Sequence, residues 1–264
     1  MKLSWERIAL TLAAVAVLSY LLFPVITVIA LSFSSANYLA FPPPGWSLQW
    51  YRQMLGDPEW LNAFWVTIRV GVLASVIATL LGVPAAFALT RFVFPGRSLL
   101  NALILSALVT PPIVSAIAIY LMFAQLGFIN SIVGLACAHA VAGIPFVVIN
   151  TAASLSSADH DLERAAIIHG ASPLSAVCRI TLPIIAPGVL VGFILSFVHS
   201  THELLIATFI LGGVGKPISV KMWAQVQSTT DPSVTAVSTV LIGVAVLTVL
   251  TVSSARILAN RRAN

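Results

Sequence analysis

The sequence contains very little charge. Of its 264 residues, 8% are Asp, Glu, Lys or Arg and 59% are hydrophobic, and the mean hydropathy is +1.03. A soluble domain carries about 25% charged residues, so water could not solvate the surface of a folded chain with this composition. The shortage of charge excludes a cytosolic enzyme and a disordered chain, and it predicts an integral membrane protein.

The sequence contains only two cysteines, and it has no recognisable phosphate-binding motif. Cys137 and Cys178 have no paired spacing, so they predict neither a disulfide nor a metal site. The glycine-rich segment 212–216 is not a phosphate-binding loop, because Ile210 replaces the first glycine and Pro217 replaces the Ser or Thr that follows the lysine. No nucleophile constellation is recognisable either. We therefore predict no catalytic residue, no metal and no cofactor in this chain.

Long uncharged runs mark the membrane spans. No Asp, Glu, Lys or Arg occurs in residues 8–51 or 98–158. A membrane helix needs roughly 20 apolar residues, so the second run holds two spans joined by a turn at residues 127–131. We predict an all-α, polytopic protein with six transmembrane helices, at about residues 8–31, 61–90, 99–124, 132–153, 188–211 and 234–258.

The distribution of Lys and Arg predicts the orientation of the spans. Nine of these residues fall in one set of loops and three in the opposite set, and basic loops face the cytoplasm. Both termini and the loop 154–185 are therefore expected in the cytoplasm. The loop 32–60 is then external. We expect its aromatic residues to anchor it at the membrane–water interface rather than to bind a ligand; they are Trp46, Trp50, Tyr51 and Trp60.

Proline and glycine occur at specific places within the predicted spans. The predicted second, third and fourth spans are expected to bend at their prolines, which are Pro84, Pro111, Pro112 and Pro145. In the fifth span, Gly188 and Gly192 are four residues apart and predict the close approach of a neighbouring helix. Together these residues indicate a bundle with a mobile centre.

The loop 154–185 has the sequence signals of two short helices. Acidic residues in the segment 159–163 suit the start of a first helix, where the helix dipole favours negative charge. Gly170 fits the left-handed position that ends this helix. Ser172 then fits the N-cap of a second helix, with Pro173 at its first helical position.

Further sequence signals predict where the second of these helices ends and what the pair of helices contacts. We expect Pro183 to end the second helix and Pro187 to open the next membrane span. The apolar residues that the pair exposes include Ala165, Ile167 and Leu174. From composition alone, such a surface suits either the groove of a partner protein or the lipid headgroups.

The same segment resembles the EAA loop of binding-protein-dependent ABC importer permeases. The pattern of that family is Glu-Ala-Ala, three residues, Gly, nine residues and Ile-x-Leu-Pro. Here Ala165 and Ala166 are followed at the same spacing by Gly170, and nine further residues lead to Ile-Thr-Leu-Pro at 180–183. The spacing matches from the alanines to the final proline.

This resemblance implies that the loop is a coupling helix that docks into a partner ATPase. Arg164 stands where the family usually has Glu, which leaves the preceding Glu163 as the candidate for the acidic contact. The implied coupling residues are Glu163, Arg164, Ala165, Ala166, Gly170, Ser172, Pro173, Ile180, Leu182 and Pro183.

The resemblance also implies a fold and a set of partners. The expected fold is a MetI-like permease in the bacterial inner membrane, with an N-terminal helix and external loop at 1–60 and a five-helix core at 61–264. The expected partners are a homologous permease in a heterodimer, two ATPase subunits that bind ATP and Mg, an external (periplasmic) solute-binding protein and the lipid bilayer. No nucleic acid is expected.

Ionisable residues within the spans are candidates for the transport pathway. They are costly in a bilayer, and His199, His202 and Glu203 occupy neighbouring positions on the fifth span. They predict a polar pathway lining in which Glu203 attracts a cation, or alternatively an internal His–Glu pair. Arg69 on the second span either extends outward or pairs with Glu203. His139 is predicted to be a packing residue.

Within the family, the fifth span resembles the second permease of spermidine/putrescine-type importers. That branch usually has Ser-Phe-Asp-Asp or Ser-Phe-Asp-Glu where this chain has Ser-Thr-His-Glu at 200–203. The expected function is ATP-driven import of a small solute by alternating access, with a polyamine as the cargo. The alternatives are an aminoalkylphosphonate, an opine or an amino-acid derivative and, from another class, a stand-alone channel or an ion-coupled secondary transporter.

Overall fold

A computed structural model of the chain describes residues 5–212, 215–228 and 232–247. Within these segments every regular element is a helix, and the extended pairing is limited to an isolated antiparallel bridge between Ser34 and Trp46. The all-α class predicted from the sequence is confirmed.

The helices agree with most of the predicted spans. They are α1 (Trp5–Ser32), α2 (Gln49–Gly56), α3 (Pro58–Arg91), α4 (Arg97–Val109), α5 (Pro112–Leu126), α6 (Ile132–Ser157), α7 (His160–Ile168), α8 (Pro173–Ala176), α9 (Leu182–His202), α10 (Leu205–Ile210), α11 (Ile218–Ser228) and α12 (Ser233–Leu247). In the described segments, α1, α3, α6 and the continuous helix Pro173–His202 are long and apolar enough to cross a bilayer. The bent pair of α4 and α5 has the length and composition of either a broken span or a re-entrant loop. The predicted sixth span extends beyond α12 into residues 248–258, which lie outside the described residues.

The predicted third span is broken at its middle. Helices α4 and α5 meet at an angle of 110°. A proline pushes the residue before it out of the helical region, and two consecutive prolines do so twice: Thr110 and Pro111 have ψ angles of 130° and 129°. Pro84 and Pro145 are isolated, and they lie inside α3 and α6 without ending either helix.

The prediction that Pro183 ends a helix and Pro187 opens another is wrong. The helix runs on through both prolines from α8 to α9, with a π-helical turn at Val177–Thr181. In this turn the N–H of Leu182 donates to the carbonyl of Val177. This hydrogen bond spans five residues, whereas an α-helical one spans four. At the point where the pattern returns to four, one backbone carbonyl accepts no hydrogen bond, so Pro183, which has no N–H to donate, is tolerated there.

The predicted end of the fifth span at residue 211 is also wrong. Helix α9 stops at His202, because Glu203 has an extended backbone with φ −70° and ψ 112°. The short helix α10 follows after this break.

The described residues form two compact units. The first unit comprises the described residues of Met1–Leu61 and Met222–Val246. The second unit comprises the described residues of Asn62–Lys221 and Leu247–Asn264. In the first unit, Trp50 and Trp60 are 7% and 1% exposed, and the Trp50 indole donates a 2.8 Å hydrogen bond to the carbonyl of Ser34. The prediction that these two residues anchor the loop at the membrane interface is wrong, whereas Trp46 is exposed.

In the second unit, α6 and α9 cross closely in antiparallel directions. The facing pairs, which step by four residues along each helix, are His139–Ser200, Gly143–Ser196 and Val147–Gly192. A Cβ atom at Gly192 would lie 2.7 Å from the Cα of Val147, so this crossing requires glycine. The close approach predicted from Gly188 and Gly192 is confirmed.

Candidate coupling loop and pathway site

The first helix of the loop, α7, has defined caps at both ends. The carboxylate of Asp159 accepts the N–H of Asp161 at 2.9 Å and caps the start. At the other end the N–H of Ala171 donates to the carbonyl of Ala166, and that of Gly170 donates to the next carbonyl, each at 3.0 Å. This is a Schellman motif, and Gly170 has the positive φ of 92° that it needs. The predicted left-handed glycine at the end of this helix is confirmed.

The second helix begins two residues after this hinge. The hydroxyl of Ser172 accepts the N–H of Ser175 at 3.3 Å, and Pro173 is the first helical residue, as predicted. Because α8 continues through the π-helical turn into α9, the helical backbone is continuous from Pro173, three residues after Gly170, to His202.

The loop presents one exposed and one anchored part. Ile168 and Leu174 lie on either side of the hinge and are 83% and 74% exposed. At the far end of the motif, Leu182 packs against a buried cluster that includes Leu155 and Ile185. At one end of the motif, therefore, no element of the described chain covers the apolar surface. At the other end, the motif is attached firmly to the helix bundle.

Glu163 is turned inward. Its carboxylate accepts a 2.8 Å hydrogen bond from the hydroxyl of Thr181, which is 3% exposed, and lies 3.8 Å from Nδ1 of His160. Arg164 points outward and lies 3.5 Å from the exposed carboxylate of Asp161. Glu163 thus links α7 to the base of α9, whereas Arg164 and Asp161 form an exposed ion pair on the outer side of α7.

Glu203 lies at the break between α9 and α10. One carboxylate oxygen accepts the N–H groups of Leu205 and Ile206, both at 3.1 Å, so Glu203 caps the start of α10. The other oxygen lies 3.9 Å from Nε2 of His199, whose ring is 5.3 Å from that of Phe146. The structure brings His199 and Glu203 together, and the carboxylate has a local structural role.

The other candidate pathway residues, His202 and Arg69, form no ion pair with Glu203 in the described part of the chain. His202 and Arg69 are exposed, and Arg69 forms no ion pair within the described part of the chain. His139 is 1% exposed and forms a 2.7 Å hydrogen bond with Ser200. It is a packing histidine, as predicted. In the described segments no group of three or more His, Cys, Asp or Glu residues is arranged to hold a metal ion.

Sequence reasoning missed Thr181 and Ser200. Thr181 occupies the variable position of the Ile-x-Leu-Pro motif, so the pattern gave no reason to select it. Ser200 was part of the Ser-Thr-His-Glu resemblance, but its partner His139 is distant in sequence. Neither the Thr181–Glu163 contact nor the Ser200–His139 contact can be predicted without knowing which helices pack together.

Comparison with known proteins decides the family. Residues 78–264 match the family described as "Binding-protein-dependent transport system inner membrane component". The chain belongs to this family. It is a permease subunit of an ABC importer and an inner-membrane component.

Relatives of this permease include two proteins of Escherichia coli (strain K12). The spermidine/putrescine transport system permease protein PotC is 28% identical over 235 residues, which cover 89% of each chain. The putrescine transport system permease protein PotI is 28% identical over 232 residues, which cover 85% of this permease and 82% of PotI.

A solved structure supports the fold. A bacterial ABC transporter involved in the import of the acidic polysaccharide alginate contains a chain that matches with a TM-score of 0.76 at 18% identity. The match covers 96% of the permease and 99% of that chain. The predicted MetI-like permease fold is confirmed.

Proposed function

We propose that loop 154–185 of this permease faces the cytoplasm and docks into a partner ATPase. The observation that carries this proposal is the exposed apolar surface at Ile168 and Leu174, on either side of a hinge joined to a membrane-spanning helix. A residue as apolar as these is favoured in a groove of another protein over water. Closure of the ATPases around nucleotide would then move the hinge and, through it, α9.

The remaining partners follow from this arrangement. A homologous permease completes a heterodimer, two ATPase subunits bind ATP and Mg, and an external solute-binding protein delivers the cargo. Both termini lie in the cytoplasm. Residues 1–60 serve as an N-terminal addition to a transport core at 61–264. The family description, which names binding-protein-dependent transport, supports the solute-binding partner.

We propose a polyamine as the cargo, with His199, His202, Glu203 and Arg69 along its route. The relatives PotC and PotI are permeases of spermidine/putrescine and putrescine systems, and Glu203 supplies a carboxylate. The exposed Arg69 and His202 favour a second candidate, because they suit a solute with an acidic group, such as an aminoalkylphosphonate, an opine or another amino-acid derivative.

The cargo proposal is tested by uptake in cells that lack this permease. We expect deletion to abolish the saturable uptake of radiolabelled putrescine or spermidine, and re-expression to restore it. A matched Glu203→Gln variant keeps an oxygen to cap α10 but loses the charge, and it is expected to reduce uptake at least about tenfold if the carboxylate attracts a cation. Unchanged polyamine uptake after deletion, with loss of aminoalkylphosphonate or opine uptake, would contradict the polyamine proposal and favour the second candidate.

A further inference from the structure

A half-open cavity of about 560 Å³ lies among α3, α4 and α6, outside the coupling surface and the pathway group. Three residues of its wall, Arg97, Ser98 and Asn101, are exposed at its mouth. Its polar wall is formed by Thr90, Arg97, Ser98 and Asn101. Ligand pockets in proteins are commonly about 300–1,000 Å³, so this cavity is large enough for a small polar group. Neither the coupling loop nor the residues around Glu203 use it.

The cavity is electropositive. Arg97 is the basic residue in its lining, and no acidic residue contributes to the wall. Arg97 takes part in none of the ion pairs found within residues 5–212, 215–228 and 232–247. A guanidinium binds phosphate oxygens with two parallel hydrogen bonds, and hydroxyl and amide groups nearby can donate the others. The wall therefore suits a phosphate, and it disfavours a polyamine cation.

The cavity lies close to the ends of the helices that line it. Helix α3 ends at Arg91 and α4 begins at Arg97. The wall residues that these two helices contribute are therefore close to the helix ends. The part contributed by α6, which includes Ile149 and Ala152, lies within about 13 Å of the end of that helix. A site this close to the helix ends is at the level of headgroups and upper acyl chains.

The polarity changes along the cavity in the way that a phospholipid requires. Arg97, Ser98 and Asn101 lie on the first turns of α4, and Leu105 lies about 12 Å further along the helix than Arg97. Below them, α6 contributes apolar side chains. No residue of α4 is buried, so an acyl chain can also lie along this helix. Free phosphate has no apolar group that could pack against the apolar part of the wall, whereas a phospholipid has acyl chains.

We propose that this cavity binds the phosphate headgroup of an anionic phospholipid, with Arg97 as the principal contact and Thr90, Ser98 and Asn101 as hydrogen-bond donors. Basic pockets between membrane helices on the cytoplasmic side are suited to such lipids. The assignment to the inner leaflet rests on the proposed cytoplasmic orientation of loop 154–185.

The test measures the lipid retained by the purified, nucleotide-free permease complex after reconstitution in nanodiscs of phosphatidylglycerol and phosphatidylcholine. Native mass spectrometry is expected to show retained phosphatidylglycerol on the wild-type complex, and at least about fivefold less on Arg97→Gln. Arg97→Lys should retain an intermediate amount. Arg7→Gln, which removes an exposed arginine elsewhere, should match the wild type.

Two results would overturn the proposal. One is equal retention of phosphatidylglycerol by Arg97→Gln and Arg7→Gln. The other is complete displacement of the lipid by millimolar inorganic phosphate, which would identify a simple anion site. Since the measurement requires neither ATP hydrolysis nor uptake, its failure is distinguishable from a failure of the proposed transport function.

Discussion

Replacing Gly170 with valine is expected to reduce cargo uptake at least about tenfold while the complex stays in the membrane and continues to hydrolyse ATP. Gly170 has a φ of 92°, a backbone conformation in which a β-branched residue is strained by about 1–3 kcal/mol. Relief of this strain requires loss of the two hydrogen bonds that close α7. The surface at Ile168 would then no longer keep a fixed position relative to α8. Uptake and ATP hydrolysis by the same reconstituted complex measure the effect.

The matched control for this variant is Gly127→Val. Gly127 also follows a helix with a positive φ, 73°, and a Cβ atom would meet open space at either glycine. Both variants therefore add a similar local strain, but Gly127 lies in the turn before α6. We expect Gly127→Val to retain the coupling of ATP hydrolysis to uptake. Normal uptake by Gly170→Val, or an equal loss of coupling in both variants, would count against the role of the hinge.

Thr181→Val is expected to lower the amount of cargo moved per ATP by about tenfold. The substitution keeps the shape of the side chain but removes the hydroxyl that donates to Glu163. Glu163 is 16% exposed, so its carboxylate would lose a donor where little water replaces it. Leaving such a group unsatisfied costs about 1–3 kcal/mol, and 1.4 kcal/mol corresponds to a tenfold change in an equilibrium. The link between α7 and the base of α9 would weaken accordingly.

Thr181→Ser is the control, because it restores the hydroxyl. Its ratio of uptake to ATP hydrolysis should be close to that of the wild type, and the amount of assembled complex should be similar for both variants. If Thr181→Val transports normally, the contact does not transmit movement. If it assembles poorly while Thr181→Ser assembles well, the contact has a purely structural role.

The parts of the coupling loop that the sequence predicts are those determined by local chemistry. A left-handed glycine, a serine cap and a proline in the first turn each act within a few residues, so Gly170, Ser172 and Pro173 were identified without knowledge of the fold. The direction of Glu163 was not. Its partner Thr181 is 18 residues away, on the far side of the hinge.

The membrane spans show the same division. Long apolar runs predict that a span exists, but proline has opposite effects in different surroundings. The pair Pro111–Pro112 breaks a span, whereas Pro183 is accommodated by a π-helical turn and Pro145 lies in the interior of α6. Likewise, the sequence indicates Glu203 as a pathway residue, whereas in the structure its extended backbone ends α9 and its carboxylate caps α10.

Site-directed crosslinking at Ile168 tests the central claim most directly. Cys137 and Cys178 are free thiols, so both are first replaced by serine, and Ile168→Cys then provides one reactive position. We predict that a short thiol-to-amine crosslinker joins this cysteine to the partner ATPase in membranes, whereas a Phe128→Cys control gives no such product. Labelling of Ile168→Cys by a membrane-impermeant thiol reagent added outside intact cells, without any crosslink to an ATPase, would contradict the account.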